Sequence, residues 1–163
     1  FIADPSQQLA FSDGPEIKEL IDGATYLITN EYEALLTEQK TGWSQDDIAA
    51  RVTHRVTTHG KDGVTIESPG VDPIHVGVAR VARLADPTGV GDAFRAGFLT
   101  GLASGLDHRH CAEMGSVLAA HVIETVGTQE YELSKAVFLE RLAEAYGAES
   151  AHEIGPHLRC PRP

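Results

Sequence analysis

Hydrophobic residues along this chain keep two periods in the first half and one in the second. Up to about position 76, short apolar runs of strand length alternate with stretches where apolar positions recur every three or four residues. The strand-length runs are Phe1 to Ala3, Ala24 to Thr29, Arg55 to Thr58, and a hairpin pair, Val64 to Ile66 with Ile74 to Val76; Val81 to Leu84 also leans extended. Helical spacing covers Glu16 to Ile21, broken by Asp22-Gly23, and a run from Asn30 through Leu36. Ser44 followed by Asp46-Asp47 predicts a capped helix start leading to Ile48. From Asp92 on, only the helical period remains. It predicts helices over Asp92 to Leu102, over Cys111 to Glu124 (Val117, Leu118, His121 and Val122 near one face), and over Ser134 to Tyr146. In the last, Ser134 is the expected N-cap and Val137, Leu142 and Ala145 the expected inward face. Alternating strands and helices closed by further helices predict an α/β layer fold with a largely parallel sheet. Ligands in such folds lie beyond the carboxyl ends of the strands.

Composition narrows the picture. At 163 residues with 42% hydrophobic content, the chain can bury a core. A formal net charge of −11 argues against nucleic acid or an anionic membrane as partner, since both need basic patches. Neither Cys111 nor Cys160 stands in a metal-binding or disulfide pattern, which fits a reducing, cytoplasmic compartment. No apolar run approaches the ~20 residues that span a bilayer. The chain opens without Met on Phe1-Ile2-Ala3, which reads as the middle of a buried strand, so an N-terminal truncation is expected.

The densest chemistry lies in Asp86-Pro87-Thr88-Gly89-Val90-Gly91-Asp92-Ala93-Phe94. Gly89 and Gly91 at a helix start free backbone N–H groups to face an anion, and the helix dipole adds partial positive charge there. Asp92 sets a carboxylate beside that anion site, within the requirements of a base that takes a hydroxyl proton during phosphoryl transfer. Simple turn chemistry and an N-terminal aspartate capping free N–H groups are the ordinary alternatives. Thr58-His59-Gly60-Lys61-Asp62-Gly63 follows a strand and reads as a hairpin turn or a phosphate-lining loop, with Lys61 a turn lysine. Asn30 and Glu33 follow another strand, as a helix cap or as groups ordering water around Mg²⁺. His54, His59, His75, His108, His110, His121, His152 and His157 show no metal spacing, and Trp43 is expected to pack against the domain.

Taken in order, Asn30-x-x-Glu33, Thr58-x-Gly60-x-x-Gly63 and Gly89-x-Gly91-Asp92 resemble the motifs of the ribokinase-like (PfkB) family of sugar and nucleoside kinases. The resemblance implies a three-layer α/β/α fold. It implies Asp92 as catalytic base and Gly89, Val90 and Gly91 as the anion hole. It places Thr58, Gly60 and Gly63 along ATP, Asn30 and Glu33 around Mg²⁺ through water, and K⁺ beside Asp86 and Gly127-Thr128-Gln129. Further segments, among them Asp4-Pro5-Ser6-Gln7-Gln8-Leu9, Lys40-Thr41-Gly42-Trp43-Ser44 and Gly127-Thr128-Gln129-Glu130, are similar to actinobacterial adenosine kinases. There the glutamine pair lies on the nucleoside side, so Gln7 and Gln8 are candidate substrate contacts. Polar loop residues are the plain alternative.

On this reading residues 1–150 form the C-terminal, ATP-binding and catalytic-base part of such a kinase, and 151–163 a loose tail. The family's N-terminal portion, with most of the substrate pocket and a small lid sheet that also supplies a homodimer contact, has no counterpart here. The chain by itself is therefore expected to be poorly stable and weakly active or inactive. ATP-dependent phosphorylation of the adenosine 5′-hydroxyl is the leading expectation. A ribose- or fructose-type kinase and a non-catalytic nucleotide-binding module stay open beside it.

Overall fold

The computed structural model describes residues 1–158, which divide into two compact units, Phe1–His75 and the residues from Val76 on. The first unit carries a sheet in the order β1 (Ile2–Ala3), β2 (Tyr26–Asn30), β3 (His54–Thr58), β4 (Val64–Glu67), with β5 (Ile74–Val76) on the far edge. The pairings of β1 with β2 and β2 with β3 are parallel, with Ile2 opposite Tyr26 and Asn30 opposite Thr58; β3 and β4 are antiparallel, with Val56 opposite Ile66. Burial follows pairing type. Leu27, Ile28 and Thr29 are buried in succession, as a strand covered on both faces requires, whereas β4 alternates, with Val64 and Ile66 buried and Thr65 and Glu67 half-exposed.

Each helix of this unit starts with a reciprocal cap. Asp13 and Glu16 open α1 (Gly14–Ile21), Asn30 and Glu33 open α2 (Glu31–Thr41), and Ser44 and Asp47 open α3 (Gln45–Ala49). The third was expected as a cap from the sequence, Asn30 was weighed as one, and the first was not foreseen. α1 begins two residues before the expected Glu16 because Pro15 suits the first turn. α2 runs five residues past Leu36, to Gly42 at φ +68°. Its last turn buries Thr37 and Thr41, whose hydroxyls donate to the carbonyls of Glu33 (2.8 Å) and Thr37 (2.7 Å), so no apolar residue announces it. Leu9, Ile17, Ile21, Leu27, Ile48 and Val52 form the core, with Leu36 and Trp43 packed against it. Trp43 also lies under two cations, Arg51 Cζ at 4.1 Å and Lys18 Nζ at 5.0 Å from the ring centre.

In the second unit the extended run Val81 to Leu84 joins no strand. Its backbone is claimed elsewhere: Ala82 N–H donates to the Glu124 side chain at 2.6 Å. The segment leads to α4 (Val90–Ala103), followed by α5 (His108–Ile123), α6 (Lys135–Tyr146) and α7 (Ala148–Ile154). α4 and α5 touch backbone to backbone, because a Cβ on Gly97 would stand 2.7 Å from Gly115 Cα. Ala79, Met114, Val117, Phe138, Leu142 and Ile154 fill the core. Two expectations are corrected here. Val137 is 40% exposed and the next residue, Phe138, is buried instead, since one position turns a helix face by about 100°. The expected loose tail is α7 and a 3₁₀ turn (Gly155–His157) as far as it is described, anchored by Ile154 at zero exposure. Cys160, Pro161 and Pro163 lie outside the described residues.

Candidate active site

In the first unit, three segments leave the carboxyl ends of three neighbouring parallel strands and so share one edge of the sheet. After β1 comes the 3₁₀ turn Ser6–Ala10, which buries Leu9 and exposes Gln7 and Gln8. Ser6 enters it at φ +43°, the one left-handed non-glycine residue among those described. Lys40, whose ammonium donates to the carbonyls of Ala10 (3.1 Å) and Ser12 (2.8 Å), pins its far end. β2 ends at Asn30, whose Oδ1 accepts from Glu33 N–H while Glu33 Oε2 accepts from Asn30 N–H, both at 2.8 Å. The capping role weighed from sequence is therefore present, and it fixes the Glu33 carboxylate at this edge. β3 ends at Thr58, directly opposite Asn30, and runs into Gly60 (φ +57°) and Gly63 (φ +95°).

His59, read in the sequence only as showing no metal spacing, ties two of these segments together. Its Nδ1 meets Glu31 Oε1 at 2.9 Å and its Nε2 meets Thr65 Oγ1 at 3.0 Å. One ring thus links the residue after Asn30, the loop after Thr58, and β4. A cavity of about 330 Å³, lined by Glu31, Arg55, Thr57, His59, Thr65 and Glu67 among others, opens beside it.

In the second unit the chain reaches α4 through Asp86, whose Oδ1 accepts from Thr88 N–H (2.9 Å) and Oδ2 from Gly127 N–H (3.1 Å). These donors, the Thr88 hydroxyl and N–H foremost, hold the carboxyl below its ordinary value. Asp86 thereby joins the loop before α4 to the Gly127 loop. Gly89 is the N-cap at φ +80° with no side chain to cap, and a Cβ there would stand 2.9 Å from Thr128 Cγ2. Val90 N–H turns back to Pro87 O (3.3 Å), while helix geometry leaves the Gly91 and Asp92 N–H groups without an i−4 carbonyl. They and the dipole form an anion-facing end. Of the two glycines, Gly89 alone needs the left-handed region; Gly91 lies within α4, where a Cβ would meet only the Arg95 guanidinium. The Asp92 side chain is 87% exposed, with Arg95 Nη1 at 3.9 Å from its Oδ1. Arg95, beside both Gly91 and Asp92 and mostly buried, was given no role from the sequence.

Residues 2–136 match the family described as pfkB family carbohydrate kinase. The chain belongs to that family. A solved structure of this fold, the nucleoside kinase of Burkholderia thailandensis in complex with inosine, superposes on the pfkB-family chain with a TM-score of 0.86 at 39% identity, covering 90% of this chain and 49% of that one. The nucleoside kinase of Methanocaldococcus jannaschii is 30% identical over 126 residues, 77% of this chain and 41% of its own length. Its structure, described as an archaeal member of the ribokinase family, superposes with a TM-score of 0.81. A cytidine kinase of Thermococcus kodakarensis is 30% identical over 117 residues, 68% of this chain and 41% of its own. The fold is ribokinase-like α/β with a mixed, mostly parallel sheet, and the chain spans half or less of these relatives' length. The likeness reaches nucleoside kinases as a class, with sugar kinases also among the matches, rather than the adenosine kinases of one bacterial group.

Proposed function

We propose that this chain is the ATP-side and catalytic-base portion, residues 1–150, of an enzyme that transfers the γ-phosphoryl group of ATP to a nucleoside 5′-hydroxyl. The observation that carries the proposal is the N-terminus of α4. There the anion-facing N–H groups of Gly91 and Asp92 stand next to the exposed Asp92 carboxylate, on a loop fixed by Asp86. In the reaction Asp92 accepts the hydroxyl proton as that oxygen bonds to the γ-phosphorus, and the bond to the bridging oxygen breaks with its electrons leaving on ADP. The loop donors meet the charge on the transferring oxygens.

Thr58, Gly60 and Gly63 line the nucleotide in this reading. Among the described residues no three His, Cys, Asp or Glu side chains converge as a metal site. Mg²⁺ suits such a site all the same, held by phosphates and water, with the fixed Glu33 carboxylate accepting from that water. K⁺ beside Asp86 belongs to the same proposal and is tested by comparing potassium with sodium salts. Gln7 and Gln8, at the shared sheet edge, are the proposed nucleoside contacts. The Burkholderia relative's complex with inosine supports a purine nucleoside, and the Asp4 to Leu9 segment favours adenosine. Cytoplasmic location and a homodimer through a lid remain part of the proposal; no described helix is long and apolar enough to cross a membrane.

The test is ADP release with Mg²⁺ and ATP against adenosine, inosine, cytidine, ribose and fructose, measured on this chain and on the longest reading frame containing it. Turnover on purine nucleosides is expected, stronger in the longer frame. Asp92→Asn should lower kcat by about 10²–10⁴ while ATP binding persists. Full activity in that variant would remove Asp92 from the role of base.

A further inference from the structure

The loop that carries Asp86 and Gly89 is held from behind by a part of the chain that no motif marks. α5 ends at Ile123, whose carbonyl accepts from Ala85 N–H (2.9 Å) and Asp86 N–H (3.2 Å). The next residue, Glu124, bonds three ways. Its Oε1 accepts from Ala82 N–H at 2.6 Å, its carbonyl accepts from Arg83 Nε at 2.9 Å, and its Oε2 pairs with Arg141 of α6. Both side chains are mostly buried, at 15% exposure for Glu124 and 21% for Arg141. Burial alone would raise the Glu124 carboxyl; the Ala82 N–H and Arg141 outweigh it and hold it below its ordinary value. Three residues further on, Gly127 donates to Asp86. Segments 82–86 and 124–127 are thus joined at three points, and Glu124, whose side chain grips the first segment, starts the second.

We propose that Glu124, oriented by Arg141, is a positioning residue for phosphoryl transfer: it sets the approach of segment 82–86 so that the Gly89 turn delivers its N–H groups and Asp92 in register. The inference rests on the reading of α4's N-terminus as the transfer site. Glu124 reaches no reacting atom. Without its side chain, Ala82 N–H and Arg141 lose their shared acceptor, and the loop keeps its bonds to the Ile123 and Glu124 carbonyls and the Asp86 bond to Gly127. α6 thereby acquires a role in the site that its distance from the motifs in sequence conceals.

The experiment is amide hydrogen exchange, read by mass spectrometry, on wild type, Glu124→Ala, Glu124→Gln and Arg141→Lys, beside kcat and KM for ATP with adenosine as acceptor. In Glu124→Ala, exchange in 82–92 and 125–128 should speed by about tenfold or more, the size of one lost charge-assisted hydrogen bond, while 111–120 within α5 stays protected. Glu124→Gln keeps an oxygen for Ala82 N–H and should restore part of that protection. In turnover, kcat should fall by about tenfold with KM for ATP within about twofold. Unchanged exchange at 82–92, or uniform acceleration through α5 and α6 alike, would overturn the proposal by reducing the pair to a general structural contact. If Glu124→Ala does not fold, Glu124→Gln and Arg141→Lys decide by the same pattern. Absence of turnover in the longest reading frame containing this chain would count against the kinase reading, and the exchange pattern would still decide whether Glu124 holds the loop.

Discussion

At the scale of single residues, Gly89 is the position where backbone conformation and chemistry meet. Its φ of +80° lies where a side chain costs about 1–2 kcal/mol, and its missing Cβ leaves room for Thr128. Gly89→Ala should therefore displace the turn, lowering kcat by about 10²-fold or more with a thermal midpoint within a few degrees of wild type. Gly91→Ala, which meets only the mobile end of Arg95, should be far milder in the same assay. A second residue-scale prediction concerns Glu113, at 3% exposure on α5. Burial raises its carboxyl above the ordinary value, against the Ser150 hydroxyl and the charges of His110 and Arg109. A raised carboxyl contributes stability that is fully present below the unfolded-state value and is lost as pH rises through the folded one. Glu113→Gln should thus melt roughly 2–4 °C higher than wild type at pH 7.5, with the gap closing toward pH 4.5. A lower midpoint at pH 7.5 would refute it. Cys111 shows the same physics: burial first, and Asp107 second, push its thiol up to about 12.

Among the elements, helix starts were legible where a cap stood in a short polar motif and helix ends were not. Ser44 announced α3, but the last turn of α2 rests on threonine hydroxyls bonded back to carbonyls, a device without an apolar signature. The α4–α5 contact was equally silent. Gly97 and Gly115 look like weak helix residues in sequence, yet they are what lets two backbones meet, with the Gly97 Cβ position 2.7 Å from Gly115 Cα and from Met114 O. Gly97→Ala should cost about 1–3 kcal/mol by urea denaturation, more than its gain in helix propensity returns. A neutral result would mean that the two helices part without penalty. Since α4 carries Asp92 in its first turn, the same substitution should also lower turnover.

For the whole molecule, the governing sequence-level quantity is charge: 24 acidic against 13 basic residues leave −11. Self-repulsion of that sign opposes compaction, so raising NaCl from about 0.05 to 0.5 M should raise the melting midpoint by a few degrees, while a fall would show that screened ion pairs matter more. The sequence by itself determined the alternation of strands and helices, the order of the three motifs, and the turn at Gly89-x-Gly91-Asp92, because each depends on local backbone preference or on short-range spacing. Register and long-range closure belonged to the tertiary structure. Only pairing of parallel strands sets Asn30 opposite Thr58 and brings Gln7 and Gln8 to the same edge. Only packing shows that His59 bridges Glu31 and Thr65, that Asp86 reaches 41 residues along the chain to Gly127, and that Glu124 and Arg141 stand behind the loop. Such contacts join residues far apart in sequence, and no local pattern encodes a hydrogen bond whose partner arrives only when the chain has folded.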